Sequence, residues 1–174
     1  MLFLLFNMSR PNIGKSTVHR LLQIASGGSP VAAKAAEEAQ AAVERYLEKA
    51  GQAAKDRLDI ARRKTVTREI AEAVLTNSCA GIMANSFRYV KGNVRGLPVA
   101  GVLRVFSHEG KSGRKALGLG FNISEDAKKM IAGAAEAFIE QLGKRARQVS
   151  QEFDKNRLTI KDRDVRVAIM GMGV

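Results

Sequence analysis

The chain has 174 residues, enough for one domain or two small ones with a buried core, and its 29 Lys and Arg outnumber 17 Asp and Glu for a net charge of +12. Such a basic chain repels itself and calls for a polyanionic partner, nucleic acid before an anionic membrane surface. One cysteine and two histidines exclude an internal disulfide and a zinc finger, imply no metal or cofactor, and suit a reducing compartment.

The opening run Met1-Leu2-Phe3-Leu4-Leu5-Phe6 is apolar, but it is too short to span a bilayer and lacks the basic start of a signal peptide. Residues 1–14 are therefore set apart as an N-terminal segment, and neither secretion nor membrane insertion is expected. Asn12-Ile13-Gly14-Lys15-Ser16-Thr17 ends like a phosphate-binding loop. Ser9, however, stands where the first glycine of that motif belongs, no strand precedes it, and no acidic magnesium partner follows a second strand. A nucleotide-binding enzyme is disfavoured on these grounds. Nothing else resembles a catalytic constellation, so no enzyme and no small-molecule substrate are expected.

Lys15 to Ala25 reads as a short helix, with Val18, Leu21, Leu22 and Ala25 apolar and His19 on the exposed side. Ser29 followed by Pro30 supplies a start signal, since Ser caps free amides and Pro fits a first turn. From there Val31, Ala35, Ala39, Val43, Tyr46, Leu47, Ala50, Ala54 and Leu58 recur at steps of three and four, the stripe of a long amphipathic helix. Arg63-Lys64-Thr65-Val66-Thr67 follows as a basic, strand-like link, and Arg68 to Leu75 as another short helix.

Thr76 to Gly96 holds no acidic residue. It carries Arg88, Lys91 and Arg95, and its apolar Ile82 to Val90 suggests a partly packed connector. Pro98 to Phe106 is the next short helix. Ser107 to Asn122 is rich in glycine and carries His108, Lys111, Arg114 and Lys115, the composition of a mobile basic loop. Ser124, with Glu125 and Asp126 behind it, opens a second long helix. Its stripe runs through Ala127, Met130, Ile131, Ala134, Phe138, Leu142, Ala146, Val149 and Phe153, with Glu136 and Arg147 off it. Arg157-Leu158-Thr159-Ile160-Lys161 is a second link, and Asp162 to Met170 the last short helix. Short helix, long helix, basic link, short helix thus occurs twice, an internal repeat over 15–75 and 97–174 joined by 76–96 and interrupted at 107–122. The lone Cys79 fits a small packed residue better than a nucleophile.

The two basic links resemble the second DNA-binding loop of histone folds. Leu97-Pro98-Val99-Ala100-Gly101-Val102-Leu103-Arg104 resembles the first helix of archaeal histones, Ile123-Ser124-Glu125-Asp126-Ala127 the start of their central helix, and Val18-His19-Arg20-Leu21-Leu22 occupies the first-helix place in the other copy. The likeness spans most of the chain and is best matched by histone doublets of archaea and giant viruses. It implies an all-α chain of two tandem histone folds, paired in an intramolecular handshake that buries both apolar stripes. The family fold also implies a basic arc along which double-stranded DNA lies.

By resemblance, Arg63, Lys64, Thr65, Arg157, Thr159 and Lys161 contact phosphates, and Arg20 and Arg104 make the first-helix contacts. Lys111, Arg114 and Lys115 are added from charge and glycine content alone. Arg157 and Asp164 match a family ion pair that shapes the second loop. The first copy departs from the pattern: no aspartate answers Arg63, its loop looks one residue short, and Glu69 is the candidate partner. The expected role is non-enzymatic DNA wrapping or compaction largely without sequence specificity, on the chromosome or viral chromatin, with self-association into larger assemblies. The alternative is a histone-fold transcription regulator or repair-complex subunit that acts through a partner at Ile82–Val90.

Overall fold

The computed structural model describes residues 13–79, 96–109 and 118–174. Six helices follow in order: α1 (Lys15–Ala25), α2 (Ala33–Ala61), α3 (Arg68–Ser78), α4 (Val99–Phe106), α5 (Glu125–Phe153) and α6 (Asp162–Met172). Two short strands, β1 (Thr65–Val66) and β2 (Asn122–Ile123), lie between them. The two long helices have 29 residues each, and their order reproduces the repeat read from the sequence. The connector at Ile82–Val90 and Lys111, Arg114 and Lys115 lie outside the described residues.

The long helices form because their apolar stripes are buried against each other and against every short helix. Each of α1, α3, α4 and α6 packs on both α2 and α5. The stripe residues from Ala35 to Leu58 and from Ala127 to Ala146 are buried in one continuous core. Burying an aliphatic or aromatic side chain is worth about 1.5–3 kcal/mol, a gain that neither stripe could realise alone. The stripes are rich in alanine and glycine, which lets backbones approach. A Cβ on Gly51 would stand 1.8 Å from the Phe106 carbonyl oxygen of α4. At the equivalent place in α5, a Cβ on Gly143 would stand 2.6 Å from the Ala25 Cβ of α1. These two glycines are the seats on which the first helix of each copy crosses the long helix of the other.

Several expectations are corrected. Ser29 and Pro30 do not start α2. Its N-cap is Ala32, and the Ser29 hydroxyl donates instead to the Ser26 carbonyl. The reason is remote in sequence: Val31 forms a parallel bridge with Ile160, which keeps residues 30–32 extended. Phe153 leaves the stripe and is 49% exposed, its ring covered by the Arg163 guanidinium 4.2 Å from the centroid. Val149 is only half-buried. Glu136, off the stripe by periodicity, is buried, and its carboxylate accepts the Leu97 amide at 3.1 Å. That bond satisfies a donor just ahead of α4. His19 is half-buried and its Nε2 donates to the Val31 carbonyl at 2.8 Å. Both α3 and α6 run past the expected ends, to Ser78 and Met172. Cys79 is buried as a packed residue, its thiol donating to the Met172 carbonyl at 3.4 Å.

Candidate nucleic-acid interface

Each end of the molecule is built from loops of both copies. At one end β1 pairs with β2 in parallel, Thr65 opposite Asn122 and Val66 opposite Ile123. At the other, Ile160 donates to the Pro30 carbonyl at 2.8 Å and accepts from the Ala32 amide at 2.9 Å. The second loop of one copy therefore always joins the first loop of the other. Beyond each bridge the chain enters a helix at the same interval. Val66 and Ile123 lead into α3 and α5, and Val31 and Ile160 into α2 and α6. Each end thus sets two helix N-termini, with the positive ends of two helix dipoles, side by side.

The loop after α5 is held by a polar network. The Arg157 guanidinium reaches Asp164 through Nη2 and the Ser150 hydroxyl through Nε, the latter at 3.3 Å. Asp164 is fully buried, and its other oxygen accepts the Lys161 amide at 2.9 Å. Arg147 donates from Nη1 to the carbonyls of Arg157 and Leu158, at 3.0 and 3.4 Å. The expected Arg157–Asp164 pair is therefore present, and it shapes the loop from inside. Charged hydrogen bonds of this kind contribute about 1.5–3 kcal/mol each when geometry is good.

The loop after α2 is built differently. Its bridging residue Val66 lies two positions closer to α2 than Ile160 lies to α5, so the loop is two residues short rather than one. Leu58 and Ile70 stand where the other copy has Ser150 and Asp164, so apolar packing replaces the network. The shorter path turns through Arg62, which adopts a left-handed conformation at φ 51° and caps α2. Glu69 does not pair with Arg63. The Glu69 amide and the Thr67 hydroxyl hydrogen-bond its carboxylate and hold it below the usual carboxylate range. Arg62, Arg63 and Lys64 are exposed and make no side-chain bond among the described residues. Together with Lys55, Asp59, Gly120 and Phe121 they line a hollow of about 480 Å³.

The remaining expected residues fall into three groups. Arg63, Lys64 and Thr65 lie exposed beside β2, and Thr159 and Lys161 lie beside residues 30–32. Arg20 is exposed on α1, near Lys15 and Gln23, and Arg104 is half-buried in the last turn of α4. Lys15, the lysine of the phosphate-loop lookalike, pairs with Glu37 at 3.0 Å. Sequence pattern does not single out Arg62 or Arg147. Arg62 follows the last helical turn directly, so its charge was legible but its placement was not. Arg147 read as an ordinary polar-face residue, and only the folded loop shows that it faces two carbonyls. Among the described residues no group of three or more His, Cys, Asp or Glu could hold a metal, and no helix is long and apolar enough to cross a membrane.

Two helical copies that cross long helices and exchange loop contacts at both ends define a histone-fold pair within one chain. The chain belongs to the family described as histone-like transcription factor (CBF/NF-Y) and archaeal histone, whose model matches it twice, over residues 12–74 and 95–169. It is a tandem histone-fold doublet. Family membership places it among histone-like DNA-binding proteins. The fold is similar to that of the histone from Methanopyrus kandleri, at a TM-score of 0.70 and 22% identity, covering 92% of this chain and 95% of that one. A protein from Thermus thermophilus is similar at a TM-score of 0.61 and 15% identity, covering 92% of this chain and 96% of the other. No curated protein sequence matches the chain.

Proposed function

We propose that this doublet wraps or compacts double-stranded DNA largely without sequence specificity, acting as a non-enzymatic, DNA-associated structural protein that self-associates on its substrate. The observation that carries this reading is the pairing of each basic second loop with the first loop of the other copy. That pairing supplies exposed cations, threonine hydroxyls and two helix N-termini at each end. Such groups recognise phosphates, which every DNA sequence presents.

In this reading residues 15–75 and 97–174 are the two histone folds of the doublet. Arg63, Lys64, Thr65, Thr159 and Lys161 contact phosphates, and Arg157 positions its loop through its pair with Asp164. Arg20 and Arg104 contact the duplex from the first helices, and Lys111, Arg114 and Lys115 add charge at one end. Arginines facing an inward minor groove need no base-specific bond.

The test is nuclease digestion of protein reconstituted on long mixed-sequence DNA at two salt concentrations. Discrete protected fragments that fade at high salt are expected, their length reporting how many doublets assemble. Protection of one preferred site would instead favour a sequence-specific regulator acting through a partner.

A further inference from the structure

The two ends of the molecule differ in charge and in how that charge is used. Residues 62–68 (Arg62, Arg63, Lys64, Thr65, Val66, Thr67, Arg68) contain four cations and no anion. The matching stretch 154–162 contains three cations and two anions, Asp154 and Asp162. One of its cations, Arg157, is held inward by buried Asp164. The first-loop partners do not offset the difference, since residues 26–32 and 118–124 are uncharged. The excess follows from the local fold. With Leu58 and Ile70 in place of the polar network, Arg63 has no internal acceptor among the described residues, and the two-residue shortening turns the chain through Arg62. Left-handed backbone is unfavourable for arginine by about 1–2 kcal/mol, and glycine would relieve it. Arg62 keeps that conformation at the rim of a hollow that it lines with Arg63 and Lys64.

We infer that the doublet grips DNA unequally. The end formed by 62–68 and 119–123 is the dominant phosphate-binding end, with Arg62 as an additional contact. The end formed by 154–162 and 30–32 is preformed in shape but contributes fewer ion pairs. The protein is therefore polar on DNA and releases the 154–162 end first as salt rises. This inference rests on the DNA-binding reading above.

The test compares charge-matched variants of the full chain in equilibrium binding to a mixed-sequence duplex over a range of salt. Arg63→Ala/Lys64→Ala and Lys155→Ala/Lys161→Ala each remove two exposed cations that form no salt bridge among the described residues. Each lost phosphate contact lowers the slope of log K against log salt by about 0.9. The first pair is expected to lower the slope by about 1.8 and the second by less than half as much. Arg62→Gly, which relieves the backbone while deleting the charge, is expected to lower it by about 0.9 with no loss of thermal stability. Equal or larger losses for the Lys155/Lys161 pair would overturn the asymmetry, and an unchanged slope for Arg62→Gly would remove Arg62 from the site. Wild-type protein that binds with no salt dependence would overturn the DNA-binding reading itself.

Discussion

Tyr46 and Phe138 stack face to face with ring centroids 4.9 Å apart and planes 12° from parallel. Each is the fourteenth residue of its long helix, so the stack marks the point where the two copies cross. The Tyr46 hydroxyl donates onward to the Leu75 carbonyl of α3 at 3.1 Å, tying the crossing to the end of its own copy. Fusing the copies in one chain makes this contact intramolecular.

Phe138→Ala is expected to destabilise the protein by about 3–5 kcal/mol, since it deletes a fully buried ring. Tyr46→Phe keeps the stack and loses only one hydrogen bond, at about 1 kcal/mol. Urea unfolding of both variants measures the difference. Similar losses for the two would show that the hydroxyl, not the ring pair, holds the crossing.

Burial pushes the Tyr46 phenol, with a smaller contribution from neighbouring Cys79, well above its ordinary 10.0. The folded state thus keeps a proton that the unfolded chain gives up. This stability is fully present below about pH 10 and is lost as pH rises above it, by up to about 1.4 kcal/mol per pH unit. Tyr46→Phe should flatten that part of the alkaline limb, leaving the contribution of Cys79, whose thiol burial also raises. The check is denaturant unfolding of wild type and variant from about pH 9 to about pH 12, the range that brackets an ordinary phenol. Identical slopes would place the phenol in contact with water.

Gly51→Ala drives a methyl group into a backbone carbonyl that cannot rotate away. It should cost at least the roughly 1–3 kcal/mol typical of overpacking. Gly143→Ala meets mainly the Ala25 side chain and should cost less. Thermal melting of the two variants orders them, and the reverse order would mean that α1 seats more tightly than α4.

Asp164→Ala leaves Arg157 and the Lys161 amide without their acceptor. Breaking a buried pair costs about 3–5 kcal/mol, and because Arg157 is 21% exposed the lower end is expected. Proteolysis should then cut the 154–161 loop faster than the 62–67 loop, which has no such network. Cleavage at equal rates in both loops would mean that Asp164 does not shape its loop.

Much of this architecture was legible from residue order, because helical period is a local property. The stripes from Ala35 to Leu58 and from Ala127 to Ala146 read correctly, as did the Ser124 cap, whose hydroxyl accepts the Ala127 amide at 3.3 Å. The Arg157–Asp164 pair was legible only through likeness to a family. The positions that misread answer to partners far along the chain. Ser29 is denied its cap because Ile160 draws residues 30–32 into a bridge. Glu136 is buried because Leu97 brings it an amide, and Phe153 is exposed because the stripe outruns its partner.

The candidate interface divides along the same line. That the chain is basic, twofold in plan and threaded with two basic links containing Arg, Lys and Thr follows from composition and spacing, which need no neighbours. Which loops meet, which arginine is held inward and which stays exposed were decided only when the two copies packed together. A side chain's role depends on the amides, carboxylates and apolar surface that assembly leaves beside it. Arg63 and Arg157 share a place in the repeat, but Ile70 faces one copy's loop and Asp164 the other's, and that difference separates an exposed cation from an internal brace.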